Sequence, residues 1–196
     1  MAEEYRRTAG YEMRRSTLIL AAVLAAALPA HAIAKAPDLS IEQRLQRAED
    51  ELAIRRILVE YAWTQDARDF AAYAALFAAN GEWINGTMVR KGPDEIKKML
   101  VGIYGDPQPG FVNRESFHIT TNPEINVDGD HATARSRHLL ITRGPDGRPQ
   151  PTLAGRYEDE LIRENGKWKI LRRIDYPVMP TAEEWGKLMR ARSPGK

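Results

Sequence analysis

The chain of 196 residues contains no cysteine, which excludes disulfides, thiolate metal sites and a cysteine nucleophile. It also has almost no net charge, with 29 basic and 27 acidic residues interspersed and a balance of +2. The first 32 residues hold four Arg and three Glu, so 25 basic residues remain against 24 acidic ones beyond them. No basic stripe survives that would attract nucleic acid through its phosphates. No apolar run reaches the roughly 20 residues that a membrane-spanning helix needs. No HxH or HExxH spacing occurs, and His31 and His131 add no ligand to a cluster, so no metal is expected. Gly81, Gly86 and Gly92 are too scattered to cradle a nucleotide, and there is no Gly-x-Ser-x-Gly nucleophile motif. Internal repeats are absent as well.

What is present suits one ordinary globular domain, at 43% hydrophobic residues. The first stretch reads as targeting rather than fold. Met13, the better initiator, precedes Arg14-Arg15, an apolar run from Thr17 to Leu28, and Pro29-Ala30-His31-Ala32. A basic start, a short apolar core and an Ala-x-Ala site make a secretory signal peptide, cleaved after Ala32 or Ala34. Residues 1–32 are therefore assigned to an N-terminal extension and signal, 33–39 to a linker, 40–178 to the domain and 179–196 to a tail with a short helix. The expected location is periplasmic or secreted, with no membrane contact after cleavage.

From Ser40 the pattern becomes helical. Ile41, Leu45, Ala48, Leu52, Ile54, Ile57, Leu58 and Tyr61 recur at three- and four-residue spacing in a long helix capped by Asp38 or Ser40 and ending near Asp66. A second helix is expected from the Asp69 N-cap through Phe70, Tyr73, Leu76 and Phe77 to Asn80-Gly81. Glu82 to Lys91 reads as a strand pair turning at Asn85-Gly86, and Gly92-Pro93-Asp94 opens a third helix. The Pro/Gly loop from Gly105 to Gly110 is the expected flap over the interior.

Glu115 to Arg143 reads as two long strands joined at Val127-Asp128-Gly129-Asp130, a tight hairpin. Alternation puts Ser116, His118, Thr120 and Asn122 on one side of the first strand and Ser136, His138, Leu140 and Thr142 on one side of the second. His118 and His138 are thereby expected on a common inward face. Two further strands follow, Thr152 to Arg163 and Trp168 to about Tyr176. On the last, Trp168, Ile170, Arg172 and Ile174 are expected to share a side. The order of elements predicts an α+β fold, a bent antiparallel sheet closed by three N-terminal helices around one pocket.

Three phrases, ELAIRRILVEYAWTQDARDFAAYAALFAANGEW, FHITTNPEINVDGDHATARSRHLL and GRYEDELIRENGKWKILRR, resemble the SnoaL-like branch of the nuclear transport factor 2-like superfamily, from about Glu49 to Tyr176. The resemblance implies a cone-shaped α+β barrel. Within the superfamily the chain looks most like the group that includes scytalone dehydratase and bile acid 7α-dehydratase. Those enzymes pair an Asp near the end of the first helix with a His on the central sheet. The resemblance places Asp66 and His118 at those positions, His138 at that of a second polar group, and Tyr61 at that of a tyrosine. Gln65 departs from the scytalone pattern, which has Tyr there. Dehydrochlorinases share the pair, so elimination is implied more firmly than loss of water.

Chemistry points the same way. A carboxylate bonded to one imidazole nitrogen fixes the tautomer and raises the basicity of the other, making His118 a base for an acidic C–H. Asp66 equally suits a helix-terminal cap, Tyr61 a core aromatic, and Asn122 a turn or bulge beside Pro123. Trp63, Phe77, Trp83, Asn122 and Tyr157 are the candidates for contacting substrate. The expectation is a cofactor-independent lyase acting on a small, apolar, ring-containing molecule, in a homodimer or higher homo-oligomer. An isomerase, a carbon–carbon lyase or a non-catalytic binder in the same pocket are the alternatives.

Overall fold

A computed structural model describes residues 39–192; the signal segment and its cleavage sites lie outside them. Helix α1 spans Ile41–Asp66. Ser40, rather than Asp38, is its cap. The Ser40 hydroxyl accepts from the Gln43 backbone N–H at 3.2 Å while the Gln43 side chain accepts from the Ser40 N–H at 2.9 Å, closing a capping box. Along α1 the residues buried against the body are Asp50, Ile54, Ile57, Leu58, Tyr61, Ala62 and Thr64. Ile41, Leu45 and Leu52, expected in the core, are exposed.

Helix α2 is only Phe70–Ala74, capped by Asp69, and strand β1 begins at Phe77 and runs to Asn85. The helical propensity of Phe70 to Asn80 loses here to tertiary pairing. Phe77 aligns with Ile170, and Leu76 already accepts a hydrogen bond from the Ile170 N–H at 2.9 Å. Gly81 is no helix cap either. A Cβ at Gly81 would lie 2.7 Å from the Ile170 carbonyl oxygen, so glycine permits the close approach of the two strands there. Strand β2 (Met88–Lys91), helix α3 (Gly92–Tyr104), strands β3 (Ser116–Asp128), β4 (His131–Arg143), β5 (Pro149–Glu164) and β6 (Lys167–Met179), and helix α4 (Ala182–Arg192) complete the order.

The six strands form one curled sheet in the order β2-β1-β6-β5-β4-β3, antiparallel throughout except that β1 runs parallel to β6. The sheet does not close: β2 and β3 are its edges, so the structure is an open α+β cone rather than a complete barrel. The core gathers Ile54, Leu58, Tyr61, Tyr73, Ile96, Leu100, Leu161 and Ile170 between the helices and the concave face.

Two bulges decide which side chains face inward. On β3 two residues, Asn122 and Pro123, occupy the space opposite Ser136 alone, and Asn122 takes a φ of 51°. The inward alternation therefore runs Ser116, His118, Thr120 and resumes at Ile125. Asn122 is exposed on the bulge, away from the interior. On β6 the register shifts between the Glu160 and Leu161 pairings, so that Ile170 faces Leu161 but Arg173 faces Asp159 and Asp175 faces Tyr157. The expected common side of Trp168, Ile170, Arg172 and Ile174 is corrected: beyond the bulge Arg173 and Asp175 take the side of Trp168 and Ile170, because one extra residue inverts every side chain after it.

Candidate active site

The last turn of α1 and the start of β3 bring Asp66 and His118 together. The Asp66 carboxylate accepts from the His118 ring at Nδ1, 2.7 Å, with one oxygen and from the His118 backbone N–H, 2.8 Å, with the other. One carboxylate thus fixes both the strand position and the ring. With Nδ1–H donating to Asp66, Nε2 carries the lone pair, and it has no hydrogen-bond partner among the described residues. The two side chains keep 18% and 13% exposure, so the pair is reachable from solvent. The loop after α3 runs beside it. Asn113 donates to the Asp66 backbone carbonyl at 3.2 Å and accepts from the backbone N–H groups of Glu115 and Ser116, locking the entry into β3.

His138 is a diagonal neighbour on the same face, since His118 aligns with Leu140 and Thr120 with His138; such neighbours stand about 7 Å apart. It is buried, and it has a carboxylate of its own that the sequence did not point to. Asp175 Oδ1 lies 3.0 Å from His138 Nε2, and Asp175 Oδ2 accepts from the Asn85 amide at 3.1 Å. Tyr157 stacks on the imidazole with ring centres 4.1 Å apart. Gly155 makes the room: a Cβ there would collide with His138 Nε2 and lie 2.8 Å from its Cε1. With Nε2 turned to Asp175, His138 Nδ1 is buried without a protein partner.

The remaining candidates separate. Tyr61 does not reach the Asp66–His118 pair. Its hydroxyl accepts from Trp83 Nε1 at 2.9 Å, and its ring packs on Tyr73, Tyr157 and the Arg173 guanidinium. Burial, more than any other cause, pushes the Tyr61 phenol up, and burial does the same to Tyr73 and Tyr157. Phe77 and Trp83 belong to that same packed cluster. Trp63 stands on the outer face of α1, fully away from the interior. Of the five expected substrate contacts only Tyr157 adjoins one of the two imidazoles, that of His138.

The centre of the cluster is Arg173, which sequence reasoning missed together with Asp175. Arg173 and Asp159 form a fully buried two-bonded ion pair at 2.6 and 2.8 Å. Burial alone would push the guanidinium down, but the Asp159 carboxylate more than offsets this and holds it above its ordinary value. Tyr61 and Tyr157 cover its faces at 3.8 and 4.4 Å. The interior beneath the sheet, expected to be an open apolar pocket, holds this buried arginine and its aromatic cage. A cavity of about 370 Å³ lies instead on the opposite, convex face, among charged side chains such as Glu124, Arg135, Glu158 and Arg172. Neither His118 nor His138 borders it. Among the described residues no cluster of His, Asp and Glu has the arrangement of a metal site.

The SnoaL-like domain profile matches residues 46–174. Solved structures similar to this chain include a protein named as a candidate scytalone dehydratase from Novosphingobium aromaticivorans, 30% identical over 69% of this chain and 89% of that one, TM-score 0.57. An NTF2-like protein with a cystatin-like fold from the same organism is 23% identical over 76% of this chain and 96% of that one, TM-score 0.63. A hexachlorocyclohexane dehydrochlorinase from Novosphingobium barchaimii is 19% identical over 68% and 90%, TM-score 0.56. The last two similarities show the fold alone. No curated protein sequence matches the chain.

Proposed function

The chain belongs to the SnoaL-like domain family, and from that premise and the site geometry we propose that it is a cofactor-independent lyase of the elimination type. The observation that carries this is the orientation of His118, held at Nδ1 and at its backbone N–H by Asp66 while Nε2 is left without a partner. His118 Nε2 takes a carbon-bound proton made acidic by an adjacent carbonyl or halogen. The electron pair of that C–H bond becomes the new π bond, and the pair of the breaking bond leaves with oxygen or halide. Asp66 stabilises the imidazolium formed on His118. When the leaving group is a hydroxyl, protonated His138 supplies the proton that makes it water, with Asp175 holding that imidazole in place. Two Asp–His pairs on one sheet face would thus divide base and acid between them. The names of similar proteins, a dehydratase and a dehydrochlorinase, support elimination as the common chemistry.

The proposed substrate is a small ring-containing molecule, received where Leu140 and Leu153, half-buried on the concave face, adjoin His118 and His138 in the strand register. The signal-like segment supports action outside the cytoplasm. The test is proton exchange. A panel of cyclic β-hydroxy and β-halo carbonyl compounds in deuterated water, followed by NMR, should show enzyme-dependent exchange or alkene formation for at least one member, abolished in His118→Ala. Binding without exchange or elimination across the panel would leave a non-catalytic binder.

A further inference from the structure

Helix α1 is apolar on two opposite faces. The inner face holds Ile54, Ile57, Leu58 and Tyr61 against the sheet. The outer one carries Ile41, Leu45, Ala48, Leu52, Val59 and Trp63, whose spacing places them within one narrow stripe. Ile41 is 76% exposed, Leu52 66% and Trp63 72%, with Leu45 and Val59 close to those values. The helix also projects. Every residue from Ile41 to Glu49 is exposed, and the first contact with the body is Asp50, which accepts from Trp168 Nε1 and Arg163. A two-turn extension with an apolar edge and a complete capping box is marginal as an isolated helix.

We propose that this stripe is the dimer surface, and that its occupant is the same stripe of a second copy, antiparallel about a two-fold axis beside Leu52. Leu45, Leu52 and Val59 repeat every seven residues, the period of a two-helix seam; the alternate seam positions are Ile41, Ala48 and Arg55, the last turning its charge to the flank. Inverted about Leu52, the stripe is complementary to itself. Leu52 meets the partner's Leu52, Leu45 meets the partner's Val59, and Ile41 meets the partner's Trp63. The flanks match in charge. Glu49 falls beside the partner's Arg56 on one side, and Glu51 beside the partner's Arg55 on the other, each pair occurring twice by symmetry. Ala48, small, leaves space for the arginine stems. A parallel pairing would instead stack the arginine-bearing turns on each other and align the helix dipoles. Two such stripes cover on the order of 1,000 Å² with their flanking side chains, near the lower limit for a specific interface.

The absence of cysteine makes the test clean. In the full chain, Leu52→Cys adds one thiol per copy, and oxidation should give a disulfide-linked dimer in high yield. Thr133→Cys, exposed on the convex sheet face, should not. Light scattering across a concentration series should show a dimer for the wild type, weakened about tenfold or more by Leu52→Glu, while circular dichroism shows the fold retained. Glu49→Arg and Arg56→Glu should each weaken association, and the double variant should restore it. A chain monomeric at all concentrations, or a dimer indifferent to Leu52→Glu, overturns the proposal. Failure of the double exchange to restore association overturns the antiparallel register. None of these readouts depends on the catalytic reading.

Discussion

Asp66 holds His118 by two points, the ring Nδ1 at 2.7 Å and the backbone N–H at 2.8 Å. The side chain that orients the imidazole also fixes the strand on which the imidazole rides. Replacing the ring should therefore cost chemistry without costing the fold. His118→Ala is expected to lower turnover about 10²–10⁴-fold with an unchanged unfolding midpoint. Asp66→Asn, which keeps a carbonyl for one of the two donors but loses the charge, should lower turnover to a similar extent. Steady-state kinetics on the first active compound from the exchange panel, beside thermal unfolding, checks both.

Gly155 governs the second imidazole. A methyl group there would displace His138 from Asp175, so Gly155→Ala should reduce elimination of hydroxyl more than elimination of halide, which leaves without needing a proton. Asp175→Asn should show the same selectivity. Equal losses for both leaving groups would remove His138 from the role of acid.

Tyr61 is expected to behave as a structural residue. Tyr61→Phe removes the acceptor of the Trp83 Nε1 bond and should cost about 1–2 kcal/mol in denaturant unfolding. Turnover should stay within a few-fold of the parent. A loss as large as that of His118→Ala would overturn the structural role and make Tyr61 part of the proton transfer.

Asp50 ties α1 to the β5–β6 end of the sheet through Trp168 Nε1 at 3.0 Å and Arg163 at 2.7 Å. Burial would raise its carboxyl, but the hydrogen bonds from Trp168, Arg163 and Gln46 outweigh burial and hold it below the usual range. A carboxyl so depressed contributes stability that is fully present above its unfolded value of about 3.9 and is lost as pH falls through the folded one. Asp50→Asn should therefore lower stability at neutral pH and narrow the difference from wild type at about pH 3. Urea unfolding at the two pH values measures it.

The Arg173–Asp159 pair predicts an asymmetry. Asp159→Leu alone leaves a guanidinium buried without its carboxylate and should cost about 3–5 kcal/mol. Adding Arg173→Met should recover much of that, because the aromatic cage then closes on an apolar side chain of similar length. Equilibrium unfolding of the two single variants and the double variant gives the coupling.

Local chemistry decided a good deal. The capping Ser40, the helix ending at Asp66, the turns at Gly86 and Gly129 and the alternation that puts His118 and His138 on one face are all properties of short stretches. Their period and turn residues could be seen in the linear chain. The expectation that Asp66 would lie beside His118 came from family likeness, and the 2.7 Å contact became visible only in the folded chain. Three-dimensional pairing decided the rest. FAAYAALFAA has the composition of a helix, yet Phe77 leaves it because a place beside Ile170 of β6 is open to it. The shift on β6 turned Arg172 outward and brought Arg173 and Asp175 in, supplying the buried arginine and the second carboxylate. An unpaired extra residue leaves no mark in a period-two pattern until its partner strand is known. The outer stripe of α1 was misjudged as core for a related reason: periodicity reports that a face is apolar, and only the packing of the rest of the chain reports whether anything covers it.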